Sequence, residues 1–523
     1  MKVERGKAVD SSPLLGDDDP TPDWLLVSLL KDVARDKPRY DLLRRYSEGD
    51  PPKPETPDSV NDQWVEFERF RCMARSNFAA LVTGACLDKS GLQGFRTAAQ
   101  GDEDGDKRAD ELWEANDMSV KADKAMKDFY DFGKGFLATN PLTKRASVFR
   151  PWQAGAIHDV AGNVAVAVTV HHQPLERRDY AHLWMRDTDE NGLVTGDITL
   201  HIAVRDRENR MAQKQALFDG EVPVSTYLSR GWHWWKTITF DGSDGQPKLQ
   251  HFPVTVLENR DGVGEFEQHL DILDRINHML LQRVVVATMQ AFRQRAIQGD
   301  LPKVDEQGNK VDYNEMFPAS PGALWVIGKE ATMWESQQSD LRGLLDAVKD
   351  DVRDLASVTR TPMTYFSPDS ANGSAEGASQ QREGYTSKMD DRKMRMNGRF
   401  RQFMASLFEI NGDTERSKVE EIEVLWAPSA SESLSERFAA MNVAVAGGMS
   451  LKTAMREVLK WNPKQMRAAE VERIAGILTA AAAEPIGAGQ RQTPMQRRAE
   501  QRATQQQQKS DQSKSQKVSS GNS

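Results

Sequence analysis

The longest uninterrupted helical pattern in the sequence covers residues 264–298. A helix over that range would be roughly 50 Å long at 1.5 Å per residue, which exceeds an ordinary globular helix. Its apolar side chains recur every three or four residues, at Phe266, Leu270, Leu273, Ile276, Leu280, Val284, Ala287 and Ala291. Such a helix must bury one stripe against other helices, and a second subunit could supply them.

Two further long helices follow this one. Residues 339–358 place leucines and valines on one face and aspartates elsewhere, and residues 378–410 carry seven basic side chains against four acidic ones. Residues 299–338 are a polar module with a short strand predicted at 324–327, and residues 361–377 are a loop rich in Pro, Ser, Asn and Gly. The sequence therefore predicts a small module between two long helices and a polar loop before the third.

Three shorter helical segments are predicted before residue 137. They begin at Trp24, at Val65 and at Asp106, and they end before Pro38, at Thr83 and at Phe132. The first is expected to stop before its proline because a proline inside a helix removes a hydrogen bond and clashes with the preceding turn. Gly133 is expected to be the C-cap of the third, since the spacing of a phosphate-binding loop is missing around it.

From about residue 137 to residue 257 the periodicity changes from helical to alternating. Valines recur at every second residue over 164–170, which is the pattern of a strand. Turn signals at Asn191-Gly192 and Asp241-Gly242 separate further strands. The whole chain is therefore expected to have an α+β fold that is predominantly α, with a β-rich middle.

Composition narrows the classes of function. The 523 residues carry 69 Lys and Arg against 78 Asp and Glu, a formal net charge of −9, which excludes a globally basic nucleic-acid coat. The length allows about three domains. Two cysteines, Cys72 and Cys86, fit neither a disulfide scaffold nor a zinc ribbon, and Cys72 is expected to be a core residue in a reducing compartment. We expect neither a signal peptide nor a membrane span, because apolar stretches are short.

Both ends of the chain have a polar composition. Residues 1–23 contain a run of three aspartates and are expected to be a disordered leader. Residues 485–523 are rich in Gln and basic, and they are expected to be a disordered tail. Between residues 431 and 483 the sequence predicts three short helices, separated at Gly447-Gly448 and at Trp461-Asn462-Pro463.

The sequence contains no complete catalytic motif. A nucleophile elbow, HExxH and a dinucleotide fingerprint are missing in the contexts they require. Asp369, Asp391 and Lys393 form a Pro-Asp then Asp-x-Lys pattern similar to that of metal-dependent nucleases. The pattern falls in a helical stretch, whereas such a site needs its second acid and lysine on a strand. We assign no catalytic residue.

Four histidines in the β-rich middle are the other candidates for chemistry. They are His171, His172, His182 and His201. Histidines of this kind are more often structural or surface groups than ligands, and the sequence does not establish that their strands bring them together. We assign no metal and no cofactor.

Several short segments occur in an order that is typical of one family. They are LLRRYSEG at 42–49, GFR at 94–96, ELWEAN at 111–116, FPV at 252–254, NR at 259–260, GE at 264–265, TP at 361–362 and ANGSAE at 371–376. On these segments, spread over about residues 24–480, the chain resembles the portal proteins of tailed bacteriophages. The resemblance is strongest to the group common in siphophages of actinobacteria.

The resemblance implies a portal-type fold with a β-containing wing, long stem helices, a small α/β clip inserted between them and a helical crown. The implied ranges are 24–263 for the wing, 264–298 for the first stem helix, 299–338 for the clip, 339–360 for the second stem helix, 361–377 for the tunnel loop, 378–411 for a long wing helix and 412–484 for the crown. Residues 485–523 have no counterpart in the family pattern.

The resemblance also implies a function and partners. A homo-oligomeric ring, typically of twelve subunits, would form the channel for packaging and ejection of double-stranded DNA at one capsid vertex of the virion. The terminase large subunit would dock on the clip, and the head-completion adaptor protein would later replace it. Major capsid and scaffolding proteins are further expected partners, with no membrane involved and with synthesis in the host bacterial cytoplasm. Portals of this family hydrolyse no ATP.

Two other classes of function stay open at this point. Another capsid-associated structural scaffold would assemble without an axial hole. A DNA-processing enzyme would depend on the pattern of Asp369, Asp391 and Lys393 and would act as a monomer. Ring formation with an open channel separates a portal from both.

Three groups of residues are candidate functional sites. The tunnel-loop candidates for transient DNA contact are Ser367, Asp369, Ser370, Asn372 and Ser374. The clip candidates for docking of the terminase or adaptor are Lys303, Asp305, Glu306, Lys310 and Trp325. Arg382, Lys388, Arg392 and Lys393 are expected to stabilise the base of the tunnel loop, to meet phosphates, or to form ion pairs at a subunit interface.

The charge of the second stem helix also bears on the channel. A channel that passes a whole genome cannot hold DNA tightly, because every neutralised phosphate releases counterions and adds affinity. An acidic or mixed lining therefore suits sliding better than a basic one. The aspartate-rich helix at 339–358 fits that requirement.

Overall fold

A computed structural model describes residues 7–10, 21–55, 65–99, 105–206, 230–243, 245–291, 295–299, 310, 332–335, 341–367, 375–430 and 434–483. Its helices are α1 Pro22–Ser47, α2 Val65–Met73, α3 Phe78–Asp88, α4 Lys107–Ala115, α5 Met118–Phe132, α6 Leu270–Ala291, α7 Arg342–Val358, α8 Met363–Phe366, α9 Ala375–Ile410, α10 Leu434–Ala446, α11 Leu451–Glu457 and α12 Pro463–Ala483. Its strands are β1 Leu92–Arg96, β2 Lys134–Asn140, β3 Arg145–Phe149, β4 Ala154–His158, β5 Val164–Gln173, β6 Arg178–Thr188, β7 Val194–Asp206, β8 His233–Phe240, β9 Val254–Glu258, β10 Arg295–Gln298, β11 Thr332–Glu335 and β12 Glu423–Trp426. The chain divides into two compact units, Met1–Pro463 and Lys464–Ser523.

The described strands form four antiparallel sheets. The largest is a five-stranded meander in the order β4-β5-β6-β7-β8, and a second sheet has the order β3-β2-β9. Two-stranded sheets join β1 to β12 and β10 to β11. The strands predicted between residues 137 and 257 are therefore confirmed, and the fold is a mixture of helices and strands.

Three apolar clusters hold these elements together. The first half of α1 packs on one face of the meander, where Leu26 and Leu30 are fully buried beside Val168. The other face belongs to a larger core shared with β2, β9, α5 and the second half of α9. A third cluster joins the second half of α1 to the start of α6 and the end of α7, around Tyr40 and Leu355.

The prediction that the first helix stops before Pro38 is wrong, because α1 continues through this proline to Ser47. An interior proline costs about 3 kcal/mol. Residues on both sides of Pro38 are buried, from Leu25 in one cluster to Tyr46 in another. The apolar area buried by the two halves outweighs the local cost, so the helix does not break.

Two predicted helices are each divided in the structure. The segment 65–83 becomes α2 and α3, with an interruption at which the backbone N–H and hydroxyl of Ser76 donate to Asn277 of α6 at 2.9 and 2.7 Å. Cys72 is exposed rather than in a core. The segment 106–132 becomes α4 and α5, separated at Asp117, which has a φ of 52°. The first break allows Ser76 to bond Asn277, and the second changes the direction of the chain. One straight helix would allow neither.

The helix predicted over 264–298 is shorter than expected. Among the described residues of this range, the α-helix covers Leu270–Ala291, and Arg295–Gln298 pairs as a strand with Thr332–Glu335. At the start, the N–H of Glu265 donates to the carbonyl of Tyr130 in α5, at 2.8 Å, so the chain is bonded to α5 before the helix begins. Hydrogen bonds to other segments therefore replace helical hydrogen bonds at both ends of the periodic segment.

The other two long helices are confirmed with small shifts in their ends. The second begins at Arg342 and ends at Val358, and the third begins at Ala375, three residues before its predicted start, and ends at Ile410. The predicted loop 361–377 is therefore shortened by the start of α9 and contains the short helix α8. The strand predicted at 324–327 lies outside the described residues. The three short helices predicted near the C-terminus are confirmed as α10, α11 and α12.

Two glycines allow the chain before α6 to lie against the end of α5. Gly133 caps α5 with a φ of 81° and its N–H donates to Phe129, as the sequence predicts. A Cβ on Gly264 would lie 2.3 Å from the carbonyl oxygen of Asp131. Only glycine permits this approach of one backbone to the other.

We expect Gly264→Ala to destabilise the protein by about 1–3 kcal/mol, because the added methyl group must displace backbone atoms of α5. Chemical denaturation followed by tryptophan fluorescence measures this change. The matched control is Gly398→Ala in α9, where a Cβ meets nothing within 4 Å. There the substitution should raise stability by up to about 1 kcal/mol. Equal effects of the two substitutions would contradict the packing argument.

Candidate functional site

The four predicted basic residues lie on α9, and the structure describes all of them. Arg382 is exposed, whereas Lys388 and Lys393 are buried and Arg392 is half-buried. Ser367 and Lys310 are also described. The other tunnel-loop candidates (Asp369, Ser370, Asn372 and Ser374) and clip candidates (Lys303, Asp305, Glu306 and Trp325) lie outside the described residues.

A buried carboxylate brings two of these basic residues together. The side chain of Glu265 is 3% exposed, and its two oxygens accept from Lys388 at 2.9 Å and from Arg392 at 2.5 Å. The side-chain amide of Asn259 donates to the same carboxylate at 3.0 Å. Buried charges are tolerated in proteins only when they are paired and hydrogen-bonded in this way.

Lys388 extends this network to a third element. Besides pairing with Glu265, its ammonium donates to the carbonyl of Thr359 at 2.8 Å, one residue after α7 ends. The network thus ties together the chain before α6, the C-terminal end of α7 and the middle of α9. We call this arrangement of Glu265, Lys388, Arg392 and Thr359 the junction.

The electrostatics of the junction follow from burial and pairing. Burial alone would raise the pKa of Glu265, but the charges and hydrogen bonds of Lys388 and Arg392 outweigh it and lower the pKa from 4.5 to about 2. The neighbouring thiol of Cys86 is fully buried, which raises its pKa to about 11. At neutral pH the carboxylate is therefore ionised and the thiol is protonated.

Arg39 of α1 makes a second connection to the same region. Its guanidinium binds both carboxylate oxygens of Glu267, just before α6. It also donates to the carbonyls of Phe132, at 3.3 Å, and of Gly262, at 2.8 Å. These carbonyls lie at the end of α5 and in the turn after β9, so one arginine fixes the start of α6 against two other segments.

A polar cleft of about 430 Å³ opens beside the junction. Charged groups of both signs line it, including Arg260, Asp261, Arg360, Asp391 and Arg392. Asp391 accepts from Arg392 at 2.5 Å and from Arg395 at 3.2 Å, and Arg260 lies 3.5 Å away. These groups neutralise one another, so the cleft has the character of an ion-pair network rather than of a site with a nucleophile and a base.

Lys393 is bonded on a different side of α9. Its ammonium donates to the carbonyl of Ala427 at 2.6 Å and to the hydroxyl of Ser429 at 2.7 Å. Burial lowers its pKa from 10.5 to about 8. Lys393 thus fixes the segment after β12 to α9, while Asp391 bonds arginines in the cleft. The two described members of the nuclease-like pattern therefore bind separate groups.

The four predicted histidines do not converge. His171 and His182 contact each other, with ring centroids 5.0 Å apart. His172 bonds Asp179 and His201 bonds Thr237, each at 3.0 Å. Among the residues that the structure describes, no group of three or more His, Cys, Asp or Glu could hold a metal ion. Within the same residues, none of the helices has the length and apolar character needed to cross a membrane.

Comparison with known families identifies the family of the chain. The profile of the family described as "Phage portal protein, SPP1 Gp6-like" matches residues 28–481. The chain belongs to this family. A search of curated protein sequences finds no match. A solved structure titled "Neck of empty GTA particle computed with C6 symmetry" matches with 12% identity and a TM-score of 0.40, over 77% of this chain and 94% of that chain.

The portal family is structural rather than enzymatic, and its members form homo-oligomeric rings connected to the capsid. Two of the described helices, α6 and α7, lie side by side. Arg275, near the start of α6, pairs with Asp351 at 2.7 Å and Asp354 at 3.4 Å, near the end of α7, so the two helices run antiparallel. The other exposed charged side chains of α7 alternate in sign from Asp346 to Arg353.

Sequence reasoning missed the central residue of the junction. Glu265 lies in the GE pair at 264–265, which carries part of the family resemblance, yet the sequence gives no partner for it. Its partner Arg392 is 127 residues away. The number of basic residues on one helix does not separate their environments, and the structure shows that Lys388 and Lys393 are buried.

We expect Glu265→Gln to destabilise the portal subunit by about 3–5 kcal/mol at pH 7, because Lys388 and Arg392 would lose their buried counter-charge. The effect must depend on pH with a defined sign. A carboxyl group whose pKa is lowered from 4.5 to about 2 on folding stabilises the fold above pH 4.5, and this contribution is lost as the pH falls to 2. Denaturant titrations from pH 2 to pH 7 should show the difference from the wild type shrinking by about 3 kcal/mol.

The control for this prediction is Glu258→Gln. Glu258 pairs with Lys134 at 3.2 Å, but both side chains are more than a third exposed. Exposed pairs contribute about 0–1 kcal/mol, so this substitution should have little effect. A pH-independent loss of stability in Glu265→Gln would show that the carboxylate charge is unimportant.

Proposed function

We propose that the chain assembles into a ring of twelve subunits at one capsid vertex and forms the channel for packaging and ejection of double-stranded DNA. The observation that carries this proposal is the portal-family match over residues 28–481. The antiparallel pair of α6 and α7, held by the junction to a long helix that is also part of the core, is a suitable stem. Residues 24–263 and 378–411 would form the wing.

We assign the clip to residues 299–338, at the far end of this helix pair. β10 comes directly before that range and pairs with β11, at Thr332–Glu335 near its end, so this pairing brings the start and the end of the range together. The terminase large subunit would dock there, with Lys303, Asp305, Glu306, Lys310 and Trp325 as candidate contacts, and the head-completion adaptor would follow it. Major capsid and scaffolding proteins would contact the wing. The ring would therefore reside in the virion.

The tunnel loop would join the stem to the wing at the junction. Thr359 ends α7 and is bonded to Lys388, and α9 begins sixteen residues later at Ala375. Ser367, Asp369, Ser370, Asn372 and Ser374 are the candidates for DNA contact in between. Because both ends of the loop are attached to one rigid network, the loop can change shape while its base stays fixed.

The crown would begin later than residue 412. β12, at Glu423–Trp426, pairs with β1 at Leu92–Arg96, which lies within the proposed wing. Lys393 holds the next segment on α9 through Ala427 and Ser429. The crown would therefore start after Ser429, at the helices α10 and α11.

Imaging of the purified full-length protein by negative-stain electron microscopy, with its mass measured on the same sample, tests the proposal. We expect rings with a central hole and a mass close to twelve subunits of 58.7 kDa. A closed particle without a hole would indicate another capsid-associated scaffold. A monomer under all salt conditions, also in the presence of the scaffolding and capsid proteins, would contradict the proposal.

The charge of α7 gives a prediction for the channel. Asp346 and Asp350 are exposed, at 69% and 67%. Reversal of both to Lys should strengthen binding of double-stranded DNA to assembled rings at least tenfold and steepen its salt dependence by about 0.9 for each phosphate neutralised. Fluorescence anisotropy over a series of salt concentrations measures both quantities.

The matched control is Glu190→Lys, in the exposed turn between β6 and β7. This substitution also replaces an acidic side chain with lysine, but at a position outside the proposed stem. It should therefore leave DNA affinity nearly unchanged. If Glu190→Lys strengthened DNA binding as much as the stem reversals, the effect would come from net charge alone, and the proposed lining by α7 would be wrong.

A further inference from the structure

Helix α10 is the least supported long element of the described chain. It has 13 residues, and none of them is buried. Only Arg437, Met441 and Ala444 are half-buried, along the side that faces the rest of the chain. An isolated helix of this length is marginal in water, so packing on a further surface would stabilise α10.

One side of α10 carries large apolar residues with the spacing of a packing seam. Leu434, Phe438 and Val445 are exposed, at 71%, 44% and 36%. With the half-buried Met441 they follow a 4-3-4 spacing, which aligns them along one stripe of a helix. We call these four residues the large stripe.

A different side of the same helix carries two alanines and one valine, which together are smaller than the residues of the large stripe. Ala439, Val443 and Ala446 follow a 4-3 spacing, and all three are exposed. At 3.6 residues per turn, this small stripe lies roughly 140° around the helix from the large stripe. The helix has one Glu and one Arg, so identical copies would not repel each other at either stripe.

We propose that the large stripe of α10 packs into the small stripe of α10 in a second copy of this chain. In a ring of more than two identical subunits, each subunit uses two different surfaces to contact its two neighbours. In a ring of twelve the two neighbours lie about 150° apart, close to the angle between the stripes. One helix thus carries both halves of a head-to-tail contact, with larger side chains on one side and mainly alanines, on either side of Val443, on the other.

This inference rests on the proposed ring, and it names the surface that closes it. The test uses the two adjacent substitutions Phe438→Arg and Ala439→Arg, which add the same charge to the large stripe and to the small stripe. Each alone should lower the fraction of protein in rings at least tenfold, measured by mass photometry. The control Leu175→Arg, at a 95% exposed leucine between β5 and β6, should form rings like the wild type.

A mixture of the two variants gives the decisive measurement. Each variant keeps one intact stripe, so Phe438→Arg and Ala439→Arg should form pairs with each other but no larger ring. Pair formation also shows that both variants are folded. Rings of normal mass from Phe438→Arg, or a mixture that forms no pairs, would overturn the inference. Failure of the wild type and of Leu175→Arg to form rings, also in the presence of the scaffolding and capsid proteins, would instead contradict the proposed function.

Discussion

The ion pairs of Glu265 with Lys388 and Arg392 hold the chain before α6, the end of α7 and the middle of α9 together in the portal subunit. Removing these charges from water costs several kcal/mol for each ion, and only their mutual attraction and hydrogen bonds offset that cost. The arrangement therefore permits one geometry and penalises others. Because α9 also contributes Phe403 and Phe408 to the main core, an orientation set by charge in the middle of the helix is transmitted to the sheets by apolar packing in its second half.

An element can be predicted from the sequence where its own periodicity determines which residues it buries. The prediction is wrong where contacts with distant residues determine the structure. The leucine and valine stripe of α7 is visible in sequence because it follows the period of a helix. The alternating valines of β5 are visible because Val166, Val168 and Val170 all lie in the cluster shared with α1. The predictions at Pro38 and Ser76 are wrong because distant contacts determine the structure there. The cost of Pro38 is offset by two separate clusters, and the break at Ser76 is stabilised by Asn277, which is 201 residues away.

The candidate site could be predicted only as a set of charges. Arg382, Lys388, Arg392 and Lys393 occur on one helix, but a basic side chain looks the same in sequence whether it faces water, a phosphate or a buried carboxylate. The structure separates them: Arg382 is exposed, Lys388 and Arg392 meet at Glu265, and Lys393 bonds the segment after β12. The periodicity that places all four on α9 carries no information about the partner that each one binds.

The proposed subunit has two kinds of contact that respond differently to salt. The stem presents exposed charges, and interactions of exposed charges with DNA weaken as ions screen them. The stripes of α10 are apolar and nearly neutral, and burial of apolar area does not depend on screening in this way. A ring closed by α10 therefore keeps its subunits together under ionic conditions that change the grip of the channel on DNA. In this arrangement assembly and DNA passage are controlled by different physical forces within one chain.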